Sequence, residues 1–182
     1  MKTRVIDLTV IAILTVVIFV QEQALSFLPN IQLTVLLFIL YSRLLGTKKT
    51  LIIVLLHTFA DNIYVGSLSP FLVIPMLLAW SLIPILLNTV FKRLKSPIFL
   101  TMFAFFFGFI YGMMFIPFVS YQFGFDPLKY YLADLPFELV MGLSGAVSVA
   151  ILYEPLMIFF KKQPVFDDTG YLKRTYGFKK RA

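Results

Sequence analysis

The sequence predicts an all-α membrane protein: a bundle of six transmembrane helices with both termini cytoplasmic. Three observations predict it. The 182 residues are 60% hydrophobic and only 14% charged, against about 25% charged in a soluble domain. The apolar residues come in runs too extensive for one small core to bury, which makes lipid the natural solvent. The runs lack period-two alternation, and an open sheet cannot satisfy its backbone in lipid, so helix is the remaining assignment.

The six runs cover residues 6–20, 31–45, 50–64, 71–91, 99–118 and 137–160. A helix needs about 20 residues to cross the hydrocarbon. The first and third are short of that, so they are expected to draw polar neighbours such as Glu22 and Asp61 below the lipid surface. The first run follows Met1 almost directly, without a small-residue cleavage site, and reads as a retained helix. Residues 1–162 form one six-helix domain, followed by a basic cytoplasmic tail over 163–182. That tail mixes basic and aromatic residues just past a membrane helix, a pattern for an interfacial anchor on anionic lipid or for docking a cytoplasmic partner.

Basic residues set the orientation. Lys2 and Arg4 precede the first run; Arg43, Lys48 and Lys49 lie between the second and third; Lys92, Arg93 and Lys95 lie between the fourth and fifth; the rest of this group follows the sixth. Of the 16 Lys and Arg, only Lys129 falls on the opposite side. The positive-inside rule then puts both ends in the cytoplasm of a multi-pass cell-membrane protein. Such a distribution places the net charge of +7 beside lipid headgroups and gives no reason to expect nucleic acid.

The acids and amides separate on the same axis. Glu22, Asp61, Asp126, Asp134 and Glu138 belong to the outer half, with Gln21, Gln23, Asn30, Gln32, Asn62, Tyr64, Tyr121, Gln122, Tyr130 and Tyr131. The stretch QEQALSFLPNIQ, from Gln21 to Gln32, interrupts two apolar runs with these groups. On a helix His57, Asp61 and Tyr64 fall at i, i+4 and i+7, on one face. Ionisable groups at membrane depth face a bundle interior or a wet cavity, so this stripe either locks neighbouring helices or meets a ligand. Trp80 and Tyr111 lie within their helices, where packing competes with ligand contact; a mid-membrane indole N–H also wants a polar partner.

Small residues recur at every fourth position in Ala104, Gly108 and Gly112 and again in Gly142, Ala146 and Ala150. Such rows let helix backbones approach closely, within the chain or against another membrane subunit. Other chemistry is missing. Cysteine is absent and His57 is the only histidine, so thiolate catalysis and histidine-rich metal sites are not expected. There is no phosphate loop for ATP hydrolysis by that route, and no two-half repeat of the kind seen in many secondary transporters. No cofactor is expected.

The architecture over residues 1 to about 162, together with the polar break QEQALSFLPNIQ, resembles a substrate-binding S component of an energy-coupling factor (ECF) vitamin transporter. The resemblance implies capture of a vitamin from outside, followed by association with a transmembrane coupling subunit and two ATPases and release inward after toppling in the membrane. It also implies that the polar loop closes the outward-facing site. ATP hydrolysis then belongs to the partners, and this chain is not an enzyme. Many members carry an AxxxA pair on helix 1; here LTVIAILTVVIF offers Ala12 followed by Val16, leaving Thr9, Ala12 and Thr15 as the small docking residues. The row Gly142, Ala146 and Ala150 is the second docking surface considered.

The expected substrate-binding set is Glu22, Gln23, Asn30, Gln32, His57, Asp61, Asn62, Tyr64, Trp80, Tyr111, Tyr121, Tyr130, Tyr131, Asp134 and Glu138. An anionic vitamin such as pantothenate, biotin or folate would want a nearby Arg or Lys, and only Lys129 is external. The polar stretch is also similar to that of S components assigned to cobalamin, whose many amides suit Gln, Asn and Tyr. Cobalamin is therefore the first expectation and thiamine or its pyrimidine precursor the second, with pantothenate a further alternative. Two other classes stand beside capture: an intramembrane enzyme using His57 and Asp61 as a proton-handling pair, and a structural or regulatory protein that recruits a complex through its small-residue seams.

Overall fold

The computed structural model describes residues 5–163 and residue 166. Among these the chain forms five helices: α1 (Val5–Leu25), α2 (Thr34–Val65), α3 (Pro70–Asn88), α4 (Pro97–Phe123) and α5 (Pro127–Lys161). No strand occurs among the described residues. The tail beyond 163, apart from Phe166, lies outside them. Four helices, α1, α3, α4 and α5, are long and apolar enough to cross a membrane.

The expectation of six helices is corrected to five, because the second and third apolar runs both lie in α2. That helix is broken at Gly46, where φ is 75° and ψ 178°, a region essentially reserved for glycine. The break reverses the chain. Phe38 and His57 sit on either side of it, yet their ring centroids are only 5.7 Å apart; a straight helix would hold them about 28 Å apart. α2 is thus two limbs folded back on each other. Its elbow carries Arg43, Lys48 and Lys49, which keeps any long stretch of the whole element from being purely apolar.

The first limb is buried at every residue from 34 to 46. Its sequence, TVLLFILYSRLL, is apolar nearly all round, as a helix surrounded by others requires. It forms the pillar of the bundle. α1 packs chiefly on α2, α3 joins α2 to α4, and α4 makes its most extensive contact with α5. Proline helps set three starts: Pro70, Pro97 and Pro127 each stand in the first turn, where the missing N–H costs nothing. At α5 the Asp126 side chain also accepts a hydrogen bond from Lys129 N at 2.9 Å. That cap begins α5 ten residues before its expected start and makes Lys129, Tyr130, Tyr131 and Asp134 helical.

Close packing of α4 on α5 depends on the predicted glycine row. A Cβ at Gly108 would lie 2.6 Å from Gly142 N, and one at Gly142 would lie 2.5 Å from Phe105 O. Gly142 is buried against Phe105 of its own chain, an internal packing position. In lipid, such backbone proximity is how helices associate.

Arg43 is the second departure. Expected in a loop among the other basic residues, it is 2% exposed within the first limb. Its Nη1 donates to Leu87 O at 2.8 Å, and Nη2 donates to Phe91 O at 3.2 Å and Leu94 O at 2.6 Å. The guanidinium therefore neutralises carbonyls at and just beyond the C-terminus of α3, the negative end of that helix dipole. At the same end of the molecule Lys49 Nζ lies 2.7 Å from Asp7 Oδ1, tying the elbow to the start of α1.

Candidate functional site

At the opposite end, the last turns of α1 supply three consecutive polar side chains, each engaged by α2. The Gln21 amide donates to Thr34 Oγ1 at 2.7 Å while its Oε1 accepts from Leu33 N at 2.9 Å. Glu22 Oε2 accepts from Thr34 Oγ1 at 3.3 Å and lies 3.0 Å from His57 Nε2. Gln23 Nε2 donates to Asp61 Oδ1 at 2.8 Å. Consecutive residues on a helix point about 100° apart, and the folded-back α2 can meet all three because its two limbs flank them. Thr34 lies on one limb, and His57 and Asp61 lie on the other.

His57 is fully buried. Its contact with Glu22 is at ion-pair distance but is not aligned as a hydrogen bond, and its Nδ1 has no hydrogen-bond partner among the described residues. His57 and Asp61 share the face expected of i and i+4, but each has a cross-helix partner: Glu22 for the imidazole, Gln23 for the carboxylate.

An aromatic column leads inward from His57. Phe38 stands between His57 and Trp80, its ring centroid 5.2 Å from the indole. Trp80 in turn lies 4.7 Å from Tyr111 and 5.6 Å from Phe107. Trp80 is 1% exposed and its Nε1 has no hydrogen-bond partner among the described residues. Tyr111 lies within electrostatic reach of Glu22, Asp61 and Glu138.

On α5, Glu138 is 5% exposed, and its Oε2 accepts from Gly112 N at 3.2 Å. A Cβ at Gly112 would collide with the Glu138 carboxyl group, so this glycine makes room for an acid. Asp134, one turn earlier, lies beside the Glu138 carboxyl, and Tyr130 is within reach of both. Gln32 is held by its backbone: its N–H donates to Ser144 Oγ at 3.0 Å and its carbonyl accepts from the same hydroxyl at 3.1 Å. This tie fastens the α1–α2 connection to α5. Beside it runs a groove of about 480 Å³ lined by Ile31, Leu33, Val140, Leu143, Val147 and Ile151 among others, with no charged residue in the lining.

The structure therefore forms two polar groups, Glu22, Gln23, His57 and Asp61 between α1 and α2, and Tyr130, Asp134 and Glu138 on α5 against α4; Tyr111, packed on Trp80, is within electrostatic reach of both. Other expected site residues stand elsewhere. Asn62 is buried toward α3, its Nδ2 donating to Thr58 O at 2.8 Å and touching Met76 Sδ at 3.3 Å. Tyr64 is 66% exposed and packs edge-on against Phe19, in the last turn of α2 just before its Gly66 cap. Tyr121 is 80% exposed and stacks on Phe71. Asn30, with φ 59°, shapes the α1–α2 connection, and Tyr131 is half-buried near the start of α5.

On α1, Thr9 and Ala12 are exposed, whereas Thr15 is buried and donates to Ile11 O at 2.8 Å. Ala146 is half-buried and Ala150 exposed on α5. Sequence reasoning left Thr34, Ser144 and Gly112 out of the site. Their signals were faint: a threonine at the edge of an apolar run, a serine in a small-residue seam and one glycine of a packing row. No group of three or more metal-ligating side chains is formed among the described residues. In comparisons with known proteins, no family model, curated protein or solved structure matches this chain.

Proposed function

We propose that this chain is a membrane-embedded vitamin-capture subunit of the S-component type. It takes its ligand from outside the cell and passes it inward after joining a transmembrane coupling subunit and two ATPases. In this reading both termini are cytoplasmic, and the two limbs of α2 count as separate passes, giving six in all. The first limb spans about 18 Å over residues 34–45, short of the roughly 30 Å hydrocarbon. Its surrounding helices shield it from lipid.

The supporting observation is the convergence of polar groups from α1, α2, α4 and α5 at the end remote from the basic elbow. A scaffold or recruitment protein has no need to gather that many half-buried acids and amides in one place, because each is costly at membrane depth. A few placed polar groups against apolar and aromatic walls is instead the composition of a small-molecule site. Cobalamin and thiamine are the two ligands that the acids, amides and tyrosines suit.

The test is calorimetric titration of the purified protein with cobalamin, thiamine, pantothenate and riboflavin, repeated with Asp61→Ala. One ligand is expected to bind in the nanomolar class, with affinity weakened at least tenfold by the substitution. The pure chain is also expected to show no ATPase activity. Absence of binding across the vitamin panel would refute capture.

A further inference from the structure

Resting on the capture reading, we infer that the ligand is a small organic cation carrying a flat heteroaromatic ring with a polar edge, held between Glu22 and Asp61 above the His57–Trp80 column. Three independent features point there. The first is charge. Glu22 and Asp61 stand close together across α1 and α2, engaged by His57 and Gln23 respectively. The fixed bases lie elsewhere: Arg43 and Lys49 are engaged at the elbow end, and Lys129 is exposed at the start of α5. A ligand anion would meet carboxylates with no cation to offset them, whereas a ligand cation completes the set.

The second feature is unmade hydrogen bonds. His57 is fully buried with Nδ1 unpartnered, and its Nε2 edge faces Glu22 without an aligned hydrogen bond. Trp80, 1% exposed, leaves Nε1 unpartnered. Buried polar groups in native proteins are satisfied as a rule, and the exceptions mark places where something else binds. A heteroaromatic edge offering both donors and acceptors matches an imidazole and an indole N–H; a purely aliphatic ammonium does not.

The third is shape. Tyr111 and Trp80 set two aromatic rings 4.7 Å apart beneath the acids. Aromatic faces beside carboxylates attract a flat cation both by stacking and by the ring quadrupole. Within the two ligands named above, this ranks a thiamine-like molecule over cobalamin.

The experiment titrates purified wild-type protein with thiamine, which is a flat cation, and with cobalamin, riboflavin and pantothenate, which are not, and repeats the thiamine titration on Glu22→Gln, Asp61→Asn and Asp7→Asn. Thiamine is expected to bind at least a hundredfold tighter than the other three. Glu22→Gln and Asp61→Asn should each weaken it tenfold or more, and Asp7→Asn, at the far end of α1, should leave it within twofold. Tighter binding of cobalamin, pantothenate or riboflavin would overturn the cation assignment while leaving capture intact, as would thiamine affinity indifferent to both acid substitutions. No binding of any ligand would overturn capture and this inference with it. The wild-type selectivity decides the matter even where a variant fails to fold.

Discussion

A guanidinium enclosed by three carbonyl oxygens, as at Arg43, is stable in a buried setting because both terminal nitrogens find acceptors and the helix end supplies compensating negative charge. Arg43→Met keeps the bulk and removes the donors, leaving the Leu87, Phe91 and Leu94 carbonyls without this partner. The expected loss is about 1–3 kcal/mol, read as a lower unfolding midpoint in detergent; an unchanged midpoint would show that these carbonyls do not depend on the arginine. Sequence position alone hid this role, since an arginine close to two lysines reads as a loop charge. The site residues were more legible. Glu22, His57 and Asp61 announce themselves because no ionisable group rests at membrane depth without a partner. Which partner each takes was not legible: helical spacing pairs His57 with Asp61, while the fold gives them to Glu22 and Gln23 across helices.

At the scale of elements, the Gly46 elbow decides the architecture. Without it the two apolar runs of α2 would continue as one rod and His57 could not approach Phe38 or Glu22. Gly46→Ala places a Cβ on backbone angles that only glycine adopts readily, at an expected cost of about 1–3 kcal/mol. Gly66 gives the comparison: it also has positive φ, at 77°, but it caps α2 in the ordinary left-handed region with open space around it. Gly46→Ala should therefore lower the thermal midpoint more than Gly66→Ala, and the reverse order would remove the elbow from its structural role. The apolar runs predicted the helical regions well because hydrophobicity reports directly on lipid and core. Their ends were less legible, since a helix in a bundle continues past its apolar stretch wherever neighbours supply polar contacts. α1 runs on through Gln21, Glu22 and Gln23 for that reason, and the Asp126 cap and Pro127 start α5 early.

For the molecule as a whole, polarity is divided lengthwise: the elbow of α2, the α3–α4 connection and the end of α5 gather bases, and the far end gathers acids and amides. This asymmetry was the most legible property of the sequence, because it depends only on counting charges between hydrophobic runs. The membrane orientation it implies has a direct test. The chain contains no cysteine, so single cysteines can be introduced without a background. Lys95→Cys should react with an impermeant thiol reagent only after cells are opened, and Lys129→Cys should react in intact cells. The opposite pattern would invert the proposed topology. The pairing of Glu22 with His57 also bears on how the molecule is made. During synthesis α1 leaves the ribosome before the limb carrying His57 exists, so its acidic last turn has no resident counterpart. That turn must wait at the watery boundary, and α1 can settle to its final depth only when the hairpin arrives, which makes the seating of α1 a late event in assembly.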